Sequence, residues 1–227
     1  MESSVENTEP TAGNLDILYQ DEFLVVVNKP AGMLVHQGRD PEPRDQIAMK
    51  VLRDQIGQRV TTLHRLDRPT SGALLFALER ETGSHLRKLF DAHLIEKQYM
   101  AVVVGETPKA WTCKEGLQKS EDEPEREAET NFKRLSVVEK DGRTFTLLQA
   151  EPRTGRYHQI RRHLASGGFP IVGDYLYGEG ELMDKLGEQS GSKRLLLHAS
   201  CIGFEHPVGN DFLEVEAPLP ERFGYYL

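Results

Sequence analysis

The sequence predicts a single α+β domain whose central sheet is mixed or antiparallel, with helices flanking it. Three observations support this fold class. Short apolar runs of strand length alternate irregularly with segments of helical periodicity. Two of the predicted strands meet at Asp141-Gly142, a dipeptide typical of a tight hairpin turn. The 227-residue chain contains no internal repeat and no linker rich enough in Pro, Gly or Ser to divide it.

The first part of the chain predicts a tail, two strands and a helix. Residues 1–14 are acidic and polar, which predicts a disordered tail before one folded domain over 15–227. Strands are expected at 15–19 and 23–28, because both runs are short, apolar and followed by turn residues. A helix is expected from about 45 to 56, where apolar residues recur at helical spacing.

The middle of the chain predicts a loop, a strand, a helix and a second strand. The charged loop 64–72 precedes the apolar run 73–78, which is typical of a buried strand. Residues 81–94 carry leucines and a phenylalanine on one helical face. Residues 96–104 predict a strand whose second half is buried on both sides, because apolar residues there occupy both faces.

The last part predicts two antiparallel strands, one helix and two closing strands. The hairpin strands cover 128–138 and 143–151. Residues 157–166 have the spacing of an amphipathic helix. Apolar runs near 194–204 and at 212–216 predict the final strands, which complete a single sheet-based domain.

The charge distribution constrains the partner more than the net charge does. A net charge of −8 opposes binding to nucleic acid, because phosphate contacts need lysine and arginine. The acids gathered in 121–129 predict a solvated loop. Arg153, Arg156, Arg161 and Arg162 lie within ten residues, and a basic cleft on an acidic body is compatible with RNA.

Several function classes lack support in the sequence. No apolar run approaches the roughly 20 residues of a membrane span, and the polar start lacks the pattern of a signal peptide. Cys113 and Cys201 match no zinc spacing, so we expect a reduced, cytoplasmic protein without a metal site. No glycine-rich nucleotide loop occurs, so no cofactor is expected. Four histidines are expected on the surface or on helix faces: His85, His93, His158 and His163.

The loop 64–72 is the strongest candidate for a chemical role. It sets the carboxylate of Asp67 between Arg65 and Arg68, and a Pro-Thr-Ser-Gly turn then leads into the apolar strand. Catalytic groups are often held on such loops, because the strand fixes what the loop presents. Taken alone, an acid between arginines is more typical of a surface ion pair or a helix cap than of a catalytic site.

The helix predicted over 157–166 contains a second candidate. Tyr157, Ile160 and Leu164 form its apolar stripe, and Arg161 lies at the edge of that stripe. A buried guanidinium needs a carboxylate or several acceptors. The alternative, an arginine whose stem covers the core while its charge reaches water, is equally compatible with the pattern.

Five segments resemble the motifs of the RluA-type pseudouridine synthases, and they occur in that family's order between about residues 15 and 205. The resemblance is carried by 28–32, 64–72, 97–99, 154–161 and 197–199. It implies a catalytic domain over 15–227 with a cleft, and cofactor-free isomerisation of uridine to pseudouridine in RNA. Asp67 would be the catalytic residue, Arg161 would pair with it and keep it ionised, and Tyr99 would stack on the uracil.

The resemblance also implies roles for other residues. Segment 28–32 would shape the floor of the cleft. His198 falls in the last motif, and a histidine on such a strand is more often a satisfied core residue than a catalyst. Arg65 would fill the gap left by the flipped nucleotide. It leaves open whether Asp67 attacks C1′ or assists removal of the C2′ proton. The candidate RNA contacts are Arg65, Arg68, Lys97, Arg156, His158 and Arg162.

Finer details indicate the substrate. Segments 17–22 and 52–57 are similar to the branch of the family that modifies uridine 65 in the T-arm stem of bacterial tRNA. The expected partner is therefore tRNA, and the expected state is a monomer with no membrane contact. Two alternatives stay open: a 23S ribosomal RNA substrate, and an RNA-binding or RNA-folding protein without catalysis.

Overall fold

The computed structural model describes residues 13–38, 43–120, 122–209 and 211–226, so nearly all of the predicted tail (1–14) lies outside the described residues. Within these ranges the chain forms four α-helices and ten strands in one sheet. The helices are α1 (Ala48–Ile56), α2 (Arg80–Asp91), α3 (Gln159–Ser166) and α4 (Gly180–Ser190). The first five strands are β1 (Asp16–Gln20), β2 (Leu24–Lys29), β3 (Thr61–Thr62), β4 (Ser71–Ala77) and β5 (Glu96–Val104). The other five are β6 (Ala110–Cys113), β7 (Thr130–Lys140), β8 (Arg143–Pro152), β9 (Leu197–Glu205) and β10 (Phe212–Glu216). Short 3₁₀ helices occupy Arg44–Gln46 and Glu221–Tyr226.

The sheet is mixed, which confirms the predicted fold class. Its strands follow the order β1-β2-β4-β9-β5-β8-β7-β6, with β10 beside β9 and β3 beside β4. Every pairing is antiparallel except that of β4 with β9, which is parallel and consists of Ser71 opposite His198 and Gly72 opposite Ala199. The two halves of the sheet are therefore joined by one short contact, at the end of the charged loop.

The core lies on both sides of this sheet. All seven residues of β4 are buried, as predicted for the apolar run. Leu74 and Phe76 face α1, and Leu75 faces α2, because successive side chains of a strand point to opposite faces. A third cluster joins β5 and β8 to α3 and α4, centred on residues such as Leu148 and Leu164. None of the described helices has the length and apolar character needed to cross a membrane.

All three predicted helices differ from the structure at an end, and the first two do so for reasons outside the site. The helix predicted from residue 45 begins as α1 at Ala48, because Ile47 is extended (φ −127°, ψ 106°) and bridges to Leu34. The helix predicted to residue 94 ends as α2 at Asp91, and His93 adopts a left-handed conformation (φ 58°) that ends helical hydrogen bonding. In each case the helix boundary is set by a contact or a backbone conformation that the spacing of apolar residues does not show.

Other elements were not predicted from the sequence. The short strands β3 and β6 and the helix α4 carry weak periodic signals and depend on neighbours for their pairing. The strand expected from residue 194 begins at Leu197, and the preceding Arg194 turns its side chain toward the centre of the sheet, where it donates to the hydroxyl of Ser71. By contrast, β5 has the predicted bounds, and the β7–β8 hairpin turns at Asp141 and Gly142, both with positive φ.

A buried polar cluster holds β4 against β9. The Ser71 hydroxyl lies 2.7 Å from Nδ1 of His198, and Nε2 of that ring donates to the Ala217 carbonyl at 3.3 Å. Burial lowers the pKa of His198 to about 4, so the ring is neutral near pH 7. The expectation of a satisfied core histidine is confirmed, since His198 is fully buried with a partner at each nitrogen.

Gly72 is required by the close approach of β4 and β9. Its φ is +112°, and a Cβ built on it would lie 2.1 Å from the Ala199 carbonyl oxygen. We expect Gly72→Ala to lower the free energy of unfolding by at least about 2 kcal/mol, because backbone atoms must separate to admit the methyl group. Gly57→Ala is the control, because Gly57 also has positive φ (+68°) but nothing lies within 4 Å of its added Cβ. Urea denaturation of both variants measures the difference, and equal losses would contradict a steric cause at Gly72.

Candidate active site

The loop that carries Asp67 is held in place by backbone contacts on both sides. It leads directly into β4 and turns through a bond from the Thr70 amide to the Asp67 carbonyl at 3.0 Å. The Gly32 amide donates to the Arg68 carbonyl at 2.8 Å, and Nε of Arg68 donates back to the Gly32 carbonyl at 2.9 Å. The Asp67 side chain is 18 % exposed, so the loop presents a carboxylate that solvent or substrate can reach from one side.

Lys29 ties this loop to the segment after β2. Its side chain is fully buried, and Nζ donates to the carbonyls of Pro30 (2.8 Å), Met33 (2.8 Å) and Arg68 (3.2 Å). Burial lowers the pKa of Lys29 to about 7, and the negative charge of Asp67 opposes that shift. These contacts agree with the architectural role expected for segment 28–32.

A cleft of about 2010 Å³ opens beside the loop, and it is rich in basic side chains. Its basic lining residues are Lys29, Arg68, Arg161, Lys193, Arg194 and Arg222. Of the four arginines between 153 and 162, only Arg161 lines this cleft within the described residues. The basic cleft draws instead on residues far apart in the sequence.

Arg161 is buried on α3 and has a carboxylate partner that the sequence analysis did not name. Its Nε and Nη2 donate to Asp174 at 2.8 and 2.7 Å, in the bidentate geometry that suits a guanidinium and a carboxylate. Asp174 is 1 % exposed and also accepts from the amides of Leu176 and Tyr177, both at 3.2 Å. The signal available in the sequence was the need of a buried arginine for an acid.

Arg161 also faces Asp67, as the resemblance implied. Its Nη1 lies 3.8 Å from Oδ2 of Asp67, while Nε2 of His158 lies 3.7 Å from Oδ1. Both distances exceed a hydrogen bond, so Arg161 acts on Asp67 through its charge, and the His158 ring lies beside the other oxygen. Asp174 fixes the guanidinium, and the remaining edge of Arg161 is directed at Asp67. The result is a carboxylate whose oxygens stay available beside a fixed positive charge.

Tyr99 is brought to the same place by an irregularity of the sheet. β5 bulges between Gln98 and Tyr99 opposite β9, so that Tyr99 pairs with Ala199. Ala199 is also the partner of Gly72 on its other side, which sets Tyr99 close to the strand that follows Asp67. Burial and the charge of Asp67 both raise the pKa of the Tyr99 hydroxyl, so it stays protonated.

Two of the histidines expected on the surface or on helix faces, His158 and His163, lie inside the structure, so the surface alternative is wrong for them, although His163 does lie on α3. The side chain of His158 is 10 % exposed, because its ring stacks on Tyr157 and faces Asp67. His163 is 2 % exposed, and its ring nitrogens contact the Thr130 hydroxyl (3.0 Å) and the Glu115 carbonyl (2.9 Å). The helix predicted from 157 begins as α3 only at Gln159, which removes Tyr157 from the apolar stripe and leaves it 44 % exposed.

The other candidate RNA contacts are spread around this centre. Arg65 is exposed on the Asp67 loop. Arg156 donates to the Glu127 carbonyl at 2.9 Å, and Arg162 donates to the Gln118 carbonyl at 2.7 Å. Those two arginines therefore hold the backbone of the connection between β6 and β7.

Lys97, the last of these candidates, is half-buried near the start of β5. Burial lowers the pKa of Lys97. Burial also lowers the pKa of the nearby His64 ring, and the positive charge of Lys97 acts in the same direction. Within the ranges that the structure describes, His, Cys, Asp and Glu side chains form no group of three or more able to hold a metal ion.

Comparisons with known proteins agree with this geometry. The family described as RNA pseudouridylate synthase matches residues 23–166. The chain is 43 % identical over 226 residues to the tRNA pseudouridine synthase C of Vibrio parahaemolyticus, covering 92 % of each chain. It is 39 % identical over 225 residues to the protein of that name from Haemophilus ducreyi, covering 92 % of this chain and 93 % of that one.

Solved structures show the same architecture. Human RNA pseudouridylate synthase domain containing 1 superposes with a TM-score of 0.77 at 26 % identity, covering 93 % of this chain and 86 % of that one. Human RNA pseudouridylate synthase domain containing 4 superposes with a TM-score of 0.74 at 26 % identity, covering 93 % of this chain and 91 % of that one. With its motifs in order and its carboxylate, arginine and tyrosine at one centre, the chain belongs to the RNA pseudouridylate synthase family, of the RluA type, and is an isomerase that acts on RNA.

Proposed function

We propose that this protein isomerises uridine to pseudouridine in tRNA, at position 65 of the T-arm stem, with Asp67 as the catalytic residue. The observation that carries the proposal is the setting of Asp67, which is partly exposed and faces Arg161 at 3.8 Å. The tRNA substrate is supported by the relatives named tRNA pseudouridine synthase C, at 39–43 % identity over about nine-tenths of the chain. Position 65 rests on the similarity of segments 17–22 and 52–57 to that branch of the family.

The chemistry divides among three side chains. The reaction breaks the N1–C1′ bond, turns the uracil and joins C5 to the same sugar carbon. The ionised carboxylate of Asp67 begins it, either by attacking C1′ or by assisting removal of the C2′ proton. Tyr99 offers an aromatic face for the uracil, a contact worth about 1–3 kcal/mol per base. Arg161, fixed by Asp174, keeps a positive charge next to Asp67.

The remaining basic groups bind the RNA. Arg65 is exposed beside Asp67 and fills the space left when the target nucleotide leaves its stack. Arg68, Lys97, Arg156 and Arg162 contact phosphates, and His158 completes the set of side chains next to the flipped nucleotide. The basic cleft provides a path for the backbone on a chain whose net charge is −8.

The substrate is tested with unmodified transcripts. The purified protein is incubated separately with a tRNA transcript, with a tRNA transcript in which uridine 65 is replaced by cytidine, and with 23S ribosomal RNA. We expect pseudouridine mapping to find a single modified site in the first RNA and none in the second. Modification of the ribosomal RNA alone would replace tRNA as the substrate. Binding without modification of any RNA would favour a non-catalytic RNA-binding protein.

A further inference from the structure

His158 has a strained backbone next to Asp67. Its φ of 54° and ψ of 29° place it in the left-handed region, at the N-cap of α3. The other described non-glycine residues with positive φ are His93 and Asp141, which lie at a helix end and in a hairpin turn. Such a conformation costs about 1–3 kcal/mol in a non-glycine residue and persists where the surroundings demand it. At His158 the contacts of the imidazole ring hold the backbone in this conformation.

The ring of His158 is fixed on two sides by tyrosines. It stacks on Tyr157 with a centroid distance of 3.7 Å and an interplanar angle of 20°. It meets Tyr177 edge to face at 5.7 Å and 88°, and Nδ1 lies 3.0 Å from the Tyr177 hydroxyl. The second nitrogen, Nε2, lies 3.7 Å from Oδ1 of Asp67. The ring therefore lies between the Tyr177 hydroxyl on one side and the Asp67 carboxylate on the other.

The charges around the ring select its protonation state. Burial lowers the pKa of His158, Arg161 and Arg65 act in the same direction, and Asp67 and Asp174 oppose them. The ring is therefore neutral near pH 7 and carries one N–H. Nη1 of Arg161 lies 3.4 Å from both ring nitrogens and does not select between them. The charge of Asp67, which faces Nε2 at 3.7 Å, favours the hydrogen on that nitrogen, because a lone pair facing a carboxylate would be repelled. Nδ1 then accepts the hydrogen bond of the Tyr177 hydroxyl.

A carboxylate on a loop needs partners to fix its rotation. The last torsion of an aspartate is broad and roughly twofold, so a single partner leaves it free to turn. At Asp67 the two oxygens face different groups, with Oδ1 toward His158 and Oδ2 toward Arg161. Arg161 is itself fixed by Asp174, and the His158 ring is fixed by Tyr157 and Tyr177.

We propose that His158 is a positioning residue: its Nε2–H, with the tautomer set by Tyr177, orients the carboxylate of Asp67 for the reaction. This inference rests on the proposed role of Asp67 as the catalytic residue. It gives His158 a role besides RNA contact, and it explains why a strained residue precedes α3.

The test compares single-turnover rates and apparent KM on the tRNA transcript. We expect His158→Asn to lower the rate about ten- to a hundredfold with KM within about threefold, because a displaced reacting group costs rate, whereas the loss of one among several RNA contacts changes KM little. Asparagine tolerates the left-handed backbone but its amide is too short to reach Asp67. His158→Gln should recover most of the rate, since its amide N–H has the reach of Nε2.

A double-variant cycle separates positioning from packing. As a single variant, Tyr177→Phe should lower the rate. In the His158→Asn background it should cause little further loss of rate, because both changes remove the same oriented N–H. His85→Asn, an exposed histidine on α2, is the control and should keep the full rate. Thermal unfolding confirms that each variant is folded, and if His158→Asn does not fold, Tyr177→Phe must still show the loss.

The outcomes distinguish this inference from the proposed function. If the wild type is active and His158→Asn keeps the full rate, or changes only KM, the positioning role is overturned and the proposed function stands. Additive effects of His158→Asn and Tyr177→Phe overturn the role of the tyrosine in setting the tautomer. A wild type inactive on tRNA and on ribosomal RNA overturns the proposed function, and the inference with it.

Discussion

Replacement of Asp67 by asparagine is expected to lower the rate of pseudouridine formation at least about a thousandfold while the protein stays folded. Asparagine has the same shape, so it keeps the turn closed by the Thr70 amide and the Asp67 carbonyl. It removes the negative charge on which either route of the reaction depends. Arg161 is not left unpaired, because Asp174 holds it through two hydrogen bonds.

The Asp67→Asn experiment uses single-turnover assays on the tRNA transcript, with RNA binding measured in parallel. Binding should be unchanged or tighter, because one negative charge next to the phosphate contacts has gone. Asp91→Asn is the matched control, since Asp91 is an exposed acid at the end of α2 and should keep the full rate. A near-normal rate in Asp67→Asn would refute the proposed role of this carboxylate.

The second large effect is expected at Asp174. Asp174→Asn should lower the free energy of unfolding by about 3–5 kcal/mol, because it takes from the buried guanidinium of Arg161 the only carboxylate within hydrogen-bonding distance among the described residues. The two side chains are 1 % and 7 % exposed, so water cannot replace the lost partner. The activity should fall as well, since Arg161 then loses the contact that directs it toward Asp67.

Urea denaturation measures this loss, and a double variant identifies its cause. Arg161→Met with Asp174→Leu removes both charges and should restore much of the stability, while activity stays lost. The control is Asp184→Asn, which breaks an exposed pair with Lys193 at 2.6 Å and should change stability little. If Asp174→Asn is as stable as the wild type, the pair does not contribute to the fold as the geometry indicates.

Local patterns predicted most strands and the hairpin, but helix ends depended on contacts. The bounds of β5 agree with the prediction because its apolar residues occupy both faces along the whole buried half. The turn at Asp141-Gly142 was predictable because those residue types accept positive φ. The start of α3 was not, because a left-handed His158 is set by its ring contacts and not by its residue type.

The residues of the site were also predictable from the sequence only in part. The motifs around Asp67, Tyr99 and Arg161 indicated the family, which the comparisons confirm, and the structure places these residues around one short pairing of β4 with β9. A buried arginine at the edge of the helical stripe was foreseen as one of two alternatives. Its main partner, Asp174, was missed because a charge pair leaves no periodic trace in the chain.

The sequence by itself determined the fold class, the family and the three side chains at the centre of the site. The fold class follows from periodicity and turn chemistry, which are properties of neighbours along the chain, whereas the family and the three side chains were implied by the resemblance of ordered motifs. The tertiary structure alone decided that Asp174 fixes Arg161, that a bulge aims Tyr99, and that His158 faces Asp67. Those contacts form between segments distant along the chain, and packing, burial and charge select them only when the whole sheet is assembled.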